Sequence, residues 1–157
     1  MNVRTTVMGL GAALVLALAG CATDGLALTE VGDSLGDYEG TEITTAGEVG
    51  RGVPVSGTDF TVYQFAGDEQ TVAVLSTEAP DRGDSREVTG RVVPFSGEFD
   101  SLEDEEEGVR DAVQGYLEDN GVSENALEAA TDQAFNLVRT FTLSNQAPFF
   151  MLEEEQS

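Results

Sequence analysis

Carboxylates are the only abundant side chains in this chain that can do chemistry. The sequence has 30 aspartate and glutamate residues against 7 basic residues, all of them arginine, and it has no histidine. The absence of histidine excludes Ser-His-Asp triads and histidine-ligated zinc or haem, and the absence of lysine excludes Schiff-base chemistry. General acid–base catalysis by carboxylates and metal binding through oxygen ligands remain possible, but the sequence spacing does not identify a catalytic pair of acidic residues. We therefore expect no enzyme activity, no catalytic residue, no cofactor and no metal site.

The densest group of possible metal ligands is the run of five acids from Glu103 to Glu107. Calcium sites need carboxylates that converge from a loop with a tight turn, as in an EF-hand. This run lacks the alternating Asp-x-Asp-x-Asp-Gly order, and on a helix its side chains would point in different directions. Ser101 precedes it with capping-box-like spacing, and acids stabilise the first turn of a helix. The run is therefore interpreted as the start of a solvated helix.

The only thiol, Cys21, follows a stretch that has the features of a secretion signal. Arg4 supplies a positive charge, residues 7–20 carry no charge, and Leu18-Ala19-Gly20 lead into the cysteine. The apolar stretch has the length of a signal-peptide core and is too short to span a bilayer. It resembles the lipobox of bacterial lipoproteins. That resemblance implies that the Cys21 thiol takes a diacylglyceryl group, that a peptidase cuts between Gly20 and Cys21, and that the new N-terminus is acylated.

Two other interpretations of this segment stay open, namely an ordinary cleaved signal peptide followed by a free cysteine, and an uncleaved membrane anchor. If Cys21 is lipidated, two or three acyl chains hold a soluble domain at a membrane, since each buried CH₂ contributes about 0.8 kcal/mol. We expect a cell-envelope protein on the periplasmic or extracellular side. In proteobacterial lipoproteins an aspartate after the cysteine favours the inner membrane, so Ala22 favours the outer membrane if the organism is Gram-negative.

The charge of the chain restricts its partners. Cleavage after Gly20 removes one arginine and no acid, so the net charge of −23 becomes −24. Such a surface repels nucleic-acid phosphates and anionic lipid headgroups, and it attracts cations or a basic partner. Adaptation to high salt is the interpretation we favour, because at about 1 M salt the screening length is only about 3 Å and self-repulsion largely disappears. A specific cation-binding role is the alternative.

Composition divides the chain into four parts. They are a signal peptide at 1–20, a tether at 21–40, a folded domain at 41–153 and an acidic tail at 154–157. The tether is polar and dotted with glycine, which predicts a flexible segment, with order near the domain as the open alternative. The run Glu153-Glu154-Glu155 is expected to fray into solvent.

Within the domain, hydrophobic periodicity predicts five strands and two helices. Alternating or β-branched runs predict strands at 41–53, 60–65, 71–75, 86–93 and 148–152. Gly47 and Gly50 in the first strand predict a bend or bulge. An insert at 101–140 has apolar residues at helical spacing, with Asn120-Gly121 ending one helix and Ser123 capping the next.

This order of elements, with two helices between the fourth and fifth strands, predicts a mainly β fold built on a five-stranded OB-fold-like barrel. The matching residues are Gly47-Glu48-Val49, Phe60-Thr61-Val62, Val72-Ala73-Val74-Leu75, Pro80 and Val88-Thr89-Gly90-Arg91-Val92. They resemble the OB-fold (tRNA-anti-like) domains of small bacterial lipoproteins. The resemblance covers residues 41–95, and 148–152 by topology.

A ligand face is expected on the second and third strands, which OB folds usually use for binding. If Phe60 and Val62 point into the barrel, Tyr63 and Phe65 point outward and could stack on bases or sugars. The alternative is that the helical insert covers both rings as part of the core. Arg91 could orient an anionic group or simply be solvated.

We therefore expect a lipid-anchored, non-catalytic OB-fold module whose partner is another envelope protein. The alternative is binding of a single-stranded nucleic acid or an oligosaccharide through the face of strands two and three. Nucleic acid is disfavoured, because single-strand binders need a positive groove and this chain has few basic residues.

Overall fold

The computed structural model describes residues 26–67, 69–95 and 102–154, the side chains of residues 102–106 excepted. The signal peptide, the cleavage site, Cys21, Ser101 and the end of the tail lie outside the described residues. The helices are α1 (Leu28–Asp33), α2 (Leu35–Tyr38), α3 (Leu102–Asp119) and α4 (Glu124–Ser144). The strands are β1 (Glu42–Pro54), β2 (Thr61–Ala66), β3 (Thr71–Ser76), β4 (Ser85–Pro94) and β5 (Phe149–Glu153). All five predicted strands and both predicted helices are present.

The five strands close into a barrel in the order β1-β2-β3-β5-β4. Strand β1 pairs antiparallel with both β2 and β4, β4 pairs antiparallel with β5, and β3 and β5 close the barrel in parallel. This is an OB-fold-like barrel with a helical hairpin, α3 and α4, inserted before the closing strand. The predicted fold class is confirmed.

Glycines allow the barrel to close at two tight points. A Cβ on Gly47 would lie 2.4 Å from the Ala66 carbonyl oxygen, and a Cβ on Gly90 would lie 2.7 Å from that of Leu152. Only glycine permits such a close backbone approach without a shift. The pairing of β1 with β2 also changes register between Val49 and Gly52. The predicted irregularity in the first strand is therefore a bulge, which bends β1 around the barrel.

Two apolar clusters occupy opposite faces of the sheet. The interior cluster takes side chains from all five strands, which only the inside of a closed barrel can bring together: Ile43, Val49, Tyr63, Phe65, Val72, Val74, Val88, Val92, Phe149 and Met151. The outer cluster joins the outward side chains of β2, β3 and β5 to the hairpin. Its members include Val62, Ala73, Leu75, Phe150, Leu152, Val113, Leu117, Ala134, Val138 and Phe141. Strands β2, β3 and β5 are therefore buried on both faces.

Residues 26–40 of the predicted tether pack against the barrel, which corrects the expectation of a flexible segment up to residue 40. Leu26, Leu28 and Val31 are buried in the interior cluster. The Leu26 amide donates to the Thr44 carbonyl at 3.1 Å. The physical reason is that these three apolar side chains cover one open end of the barrel, which the glycine-rich composition of the segment does not reveal.

The hairpin follows the sequence prediction closely. Helix α3 ends at Asp119, before Asn120-Gly121, and Gly121 has a φ of 94°, the left-handed conformation that favours glycine at a helix end. Ser123 stands at the N-cap of α4, but its side chain makes no capping hydrogen bond. Within the described ranges, no helix is long and apolar enough to cross a bilayer.

Candidate functional site

The two aromatic side chains of the predicted ligand face lie inside the barrel. Tyr63 and Phe65 have no exposed surface, and their rings meet edge to face at a centroid distance of 6.5 Å. The pairing of β2 with β3 sets Tyr63 beside Val74 and Phe65 beside Val72, both members of the interior cluster. The outward stacking platform is therefore corrected: these residues are core. They are covered by the barrel itself, not by the helical insert.

Helix α4 covers the outer face of β2 and β3. Val62 and Leu75, which lie opposite each other in register, pack in the outer cluster with helix residues such as Val138. Phe60, expected inside the barrel, meets Tyr116 of α3 with ring centroids 5.8 Å apart. The surface through which OB folds usually bind ligands is thus occupied by this chain's own helices.

Arg91 does not share a surface with Tyr63 and Phe65. Its neighbours Gly90 and Val92 face the barrel interior, so Arg91 faces outward, where its side chain is 45% exposed. It forms an ion pair with Glu154 at 2.9 Å. The structure therefore separates the three residues that the sequence placed on one ligand face.

A buried carboxylate that the sequence analysis missed lies at the opposite end of the barrel from α1. Glu153, the last residue of β5, is only 8% exposed. Its carboxylate accepts hydrogen bonds from the Tyr63 hydroxyl at 2.7 Å and the Ser76 hydroxyl at 2.5 Å, and it forms an ion pair with Arg86 at 3.2 Å. The expectation that Glu153 frays into solvent is wrong. Alternation was the available signal, since Phe149, Met151 and Glu153 follow one another on the inward face.

The hydrogen-bonded network around Glu153, made with Tyr63, Ser76 and Arg86, connects the barrel to the hairpin and keeps Tyr63 protonated. The Tyr116 hydroxyl of α3 donates to the Glu153 carbonyl at 2.6 Å, and Arg86 also pairs with Glu78 at 2.7 Å. Burial first, and then the charge of Glu153 and its hydrogen bond, raise the pKa of Tyr63 well above its usual range. Tyr63 therefore stays a neutral donor to Glu153.

Two concave surfaces open at this end of the barrel. One is a cavity of about 300 Å³ over the network, with Arg86, Glu87, Thr89, Glu153 and Glu154 in its wall. The other is a groove of about 780 Å³ between the β1–β2 connection and the α3–α4 turn. The groove residues are Gly57, Thr58, Asp59, Phe60, Asn120, Gly121, Val122, Ser123 and Ala126. Thr77 and Glu78 line both, so the two form one continuous surface, which we call the distal groove.

The distal groove is lined by charged and hydrogen-bonding side chains beside a few apolar ones. The carboxylate of Glu153 is already occupied by two hydroxyls and a guanidinium, which leaves it poorly placed to move a proton to or from a ligand. Across the residues whose side chains are described, no three acidic or thiol groups are arranged to hold a metal ion. Asp59 and Glu78 are exposed at the rim, whereas Phe60 and Val122 give the groove an apolar floor.

Comparisons with known proteins identify no family for this chain. No family model matches the chain, and no curated protein matches it. Among solved structures, it is similar to an aspartyl tRNA synthetase from Entamoeba histolytica, with a TM-score of 0.38 and 9% sequence identity. That similarity covers 49% of this chain and 18% of the synthetase chain. The chain thus spans less than a fifth of the length of that protein.

Proposed function

We propose that this chain is a membrane-anchored, non-catalytic binding module of the cell envelope, and that its ligand is another protein. The observation that carries the proposal is the position of the helical hairpin. Helix α4 occupies the outer face of β2 and β3, so a ligand must bind elsewhere. The distal groove is a large concave surface that the hairpin leaves open, at the end of the barrel where Glu153 lies.

The groove fits a polypeptide better than a rigid small molecule. It is open, and it combines an apolar floor at Phe60 and Val122 with hydrogen-bonding groups from Asn120 and Thr77. Its exposed charged residues, Asp59, Glu78 and Glu87, are all negative. Charge complementarity therefore favours a partner segment that carries arginine or lysine beside an apolar residue.

The alternative ligands lose their main support. Single-stranded nucleic acids and oligosaccharides were expected to stack on Tyr63 and Phe65, and both rings are fully buried. The groove also lacks the positive lining that a phosphate backbone needs, since Arg86 is held between Glu78 and Glu153. Of the three ligand classes considered, which are protein, single-stranded nucleic acid and oligosaccharide, we therefore favour protein.

Membrane attachment is proposed from the sequence, through lipidation of Cys21 after cleavage behind Gly20. The mass of the N-terminal peptide purified from the native host tests it. We expect the mass of a diacylglyceryl and an acyl group on Cys21. An unmodified cysteine, or an uncleaved residue 1–20 segment, would contradict the anchor.

Affinity capture tests the protein-binding role. The full-length protein is purified from its own membranes at native salt after chemical crosslinking, as wild type, as Asp59→Arg and as Asp111→Arg. Asp59 lies in the groove, and Asp111 is an exposed acid on α3 outside it, so both variants change the charge equally. We expect one stoichiometric protein that Asp59→Arg loses and Asp111→Arg keeps. No protein partner, or equal loss in both variants, would contradict the proposal.

A further inference from the structure

A second groove lies between the two helices of the hairpin. It has a volume of about 720 Å³, and its lining comes from α3, α4 and the turn that joins them. We call it the hairpin groove. The lining residues that matter for its chemistry, from α3, the turn and α4, include Gln114, Glu118, Val122, Leu127, Glu128 and Thr131.

One of these residues has a buried hydroxyl without a partner. Thr131 is 1% exposed, and its hydroxyl makes no hydrogen bond within the described part of the chain. A buried polar group that lacks a hydrogen bond destabilises a fold, and native proteins keep few of them. A bound group that donates a hydrogen bond to Thr131 would remove that cost. The hydroxyl therefore points to a ligand in the hairpin groove.

The charge of the groove favours a cationic ligand. Three exposed carboxylates line it, those of Glu118, Glu124 and Glu128. Arg110 also lines it, but its guanidinium forms an ion pair with Asp132. A positively charged group is therefore attracted to this surface and an anion is repelled.

A guanidinium group matches the groove better than an ammonium group does. Its five N–H donors lie in a planar fork, so it can donate at once to acceptors of different kinds, such as the Thr131 hydroxyl and the carboxylate of Glu128. It is also less strongly hydrated than an ammonium, and the alkyl stem of an arginine packs on apolar side chains such as Leu127 and Val122.

The hairpin groove meets the distal groove at the α3–α4 turn, because Val122 lines both. We propose that the hairpin groove binds a guanidinium group, supplied by an arginine of the protein that occupies the distal groove. This inference rests on the proposed protein-binding function. A partner segment that crosses the turn contacts both grooves, and its arginine donates to the Thr131 hydroxyl while the carboxylates at the rim balance its charge.

Binding of a small arginine probe tests the site apart from the partner. The full-length protein is purified from its own membranes in a neutral detergent at native salt, and equilibrium dialysis measures its binding of N-acetyl-arginine amide. N-acetyl-citrulline amide, which has a similar shape without the charge, is the control ligand. We expect saturable binding of the arginine probe and about tenfold weaker binding of the citrulline probe, because hydrogen bonds to charged groups are the stronger ones.

Two threonines of α4 provide matched variants. Thr131 and Thr142 are both buried, and neither hydroxyl has a partner within the described ranges, but Thr142 lies outside the hairpin groove. We expect Thr131→Val to weaken arginine binding about tenfold and Thr142→Val to leave it unchanged. Neither variant should lower the urea midpoint of unfolding, because valine replaces a hydroxyl that has no hydrogen bond to lose.

Equal binding by the two variants, or no saturable binding by the wild type, overturns the guanidinium site. A lower urea midpoint for Thr131→Val also overturns it, because the hydroxyl would then have a structural partner. Crosslinking capture separates this inference from the function on which it rests. Undiminished capture of the partner by Thr131→Val overturns the arginine contact and leaves the protein-binding role standing, whereas capture of no protein by the wild type overturns that role itself.

Discussion

Replacing Glu153 with alanine tests how much the buried network contributes to stability, and replacing its neighbour Glu154 with alanine is the matched control. Glu153→Ala removes the acceptor of two hydroxyls that are fully buried, those of Tyr63 and Ser76. A buried donor without a partner costs about 1–3 kcal/mol, and breaking a buried charged pair costs about 3–5 kcal/mol. We expect Glu153→Ala to lower the free energy of unfolding by about 4 kcal/mol.

Glu154→Ala removes an ion pair with Arg91 in which the side chains are 35% and 45% exposed. Exposed pairs of this kind contribute about 1 kcal/mol or less. Molar salt should abolish the small effect of Glu154→Ala, and it should leave the effect of Glu153→Ala largely intact, because buried charges are screened much less.

Urea denaturation of a lipid-free domain beginning at residue 22, followed by circular dichroism, measures both variants at low and high salt. With an m-value of roughly 2 kcal/mol/M, the midpoint of Glu153→Ala should fall by about 2 M. If that variant does not fold, Glu153→Gln keeps the shape and one acceptor oxygen, and it should lose about 1–2 kcal/mol. Equal midpoints for Glu153→Ala and Glu154→Ala would refute the assignment of Glu153 to the core.

Three further predictions follow from the same structure. Gly90→Ala should lower the free energy of unfolding, measured by urea denaturation, by more than about 2 kcal/mol, because the added Cβ would lie too close to the Leu152 carbonyl oxygen. Gly115→Ala in α3 has open space around it and should raise the free energy of unfolding by about 0.5–1 kcal/mol. Stabilisation by both substitutions would contradict the tight closure of the barrel. The pKa of Tyr63 is raised in the folded state, so the unfolded chain loses that proton first, and the free energy of unfolding should fall above about pH 10 by up to 1.4 kcal/mol per pH unit. Tyr63→Phe should reduce that slope in pH-dependent urea titrations, and an unchanged slope would show that another group causes it. The lipid-free domain should melt at a higher temperature in multimolar potassium chloride than at low salt, and equal melting temperatures would remove the argument for salt adaptation.

The sequence was most informative where a strand is buried on one face only. In β1 and β4 the alternation of Ile43, Val49, Val88 and Val92 with polar residues identifies the inward face correctly. Gly47 and Gly50 in β1 also predicted the bulge. These elements could be assigned because polarity changes with a period of two.

The same reasoning failed for β2, because that strand is apolar on both faces. Val62 and Tyr63 are both fully buried, one beneath the hairpin and one inside the barrel. Hydrophobic alternation cannot then distinguish the interior of the barrel from its outer face. The prediction therefore placed Val62 inside the barrel, whereas the interior residues are Tyr63 and Phe65, one position away in register. The position of the hairpin decides the question, and that position depends on packing between distant segments.

Composition also misled at both ends of the domain. Glycine and acid content predicted a flexible tether, but three apolar side chains, Leu26, Leu28 and Val31, suffice to seal the barrel. Glu153 begins an acid-rich run, so its composition predicted exposure. Its burial depends on donors from three other strands, Tyr63 of β2, Ser76 of β3 and Arg86 of β4. A charged residue is buried only where folding supplies partners, so its own type predicts exposure.

The central claim, that the distal groove holds a protein partner, is tested most directly by photo-crosslinking in the native host at native salt. A photoreactive residue at Ser123 lies in the groove, and one at Asn136 lies exposed on α4 outside it. We predict a single crosslinked protein product from Ser123 and none from Asn136. Products of equal yield from both positions, or a Ser123 product that nuclease or glycan-degrading enzymes remove, would contradict the claim.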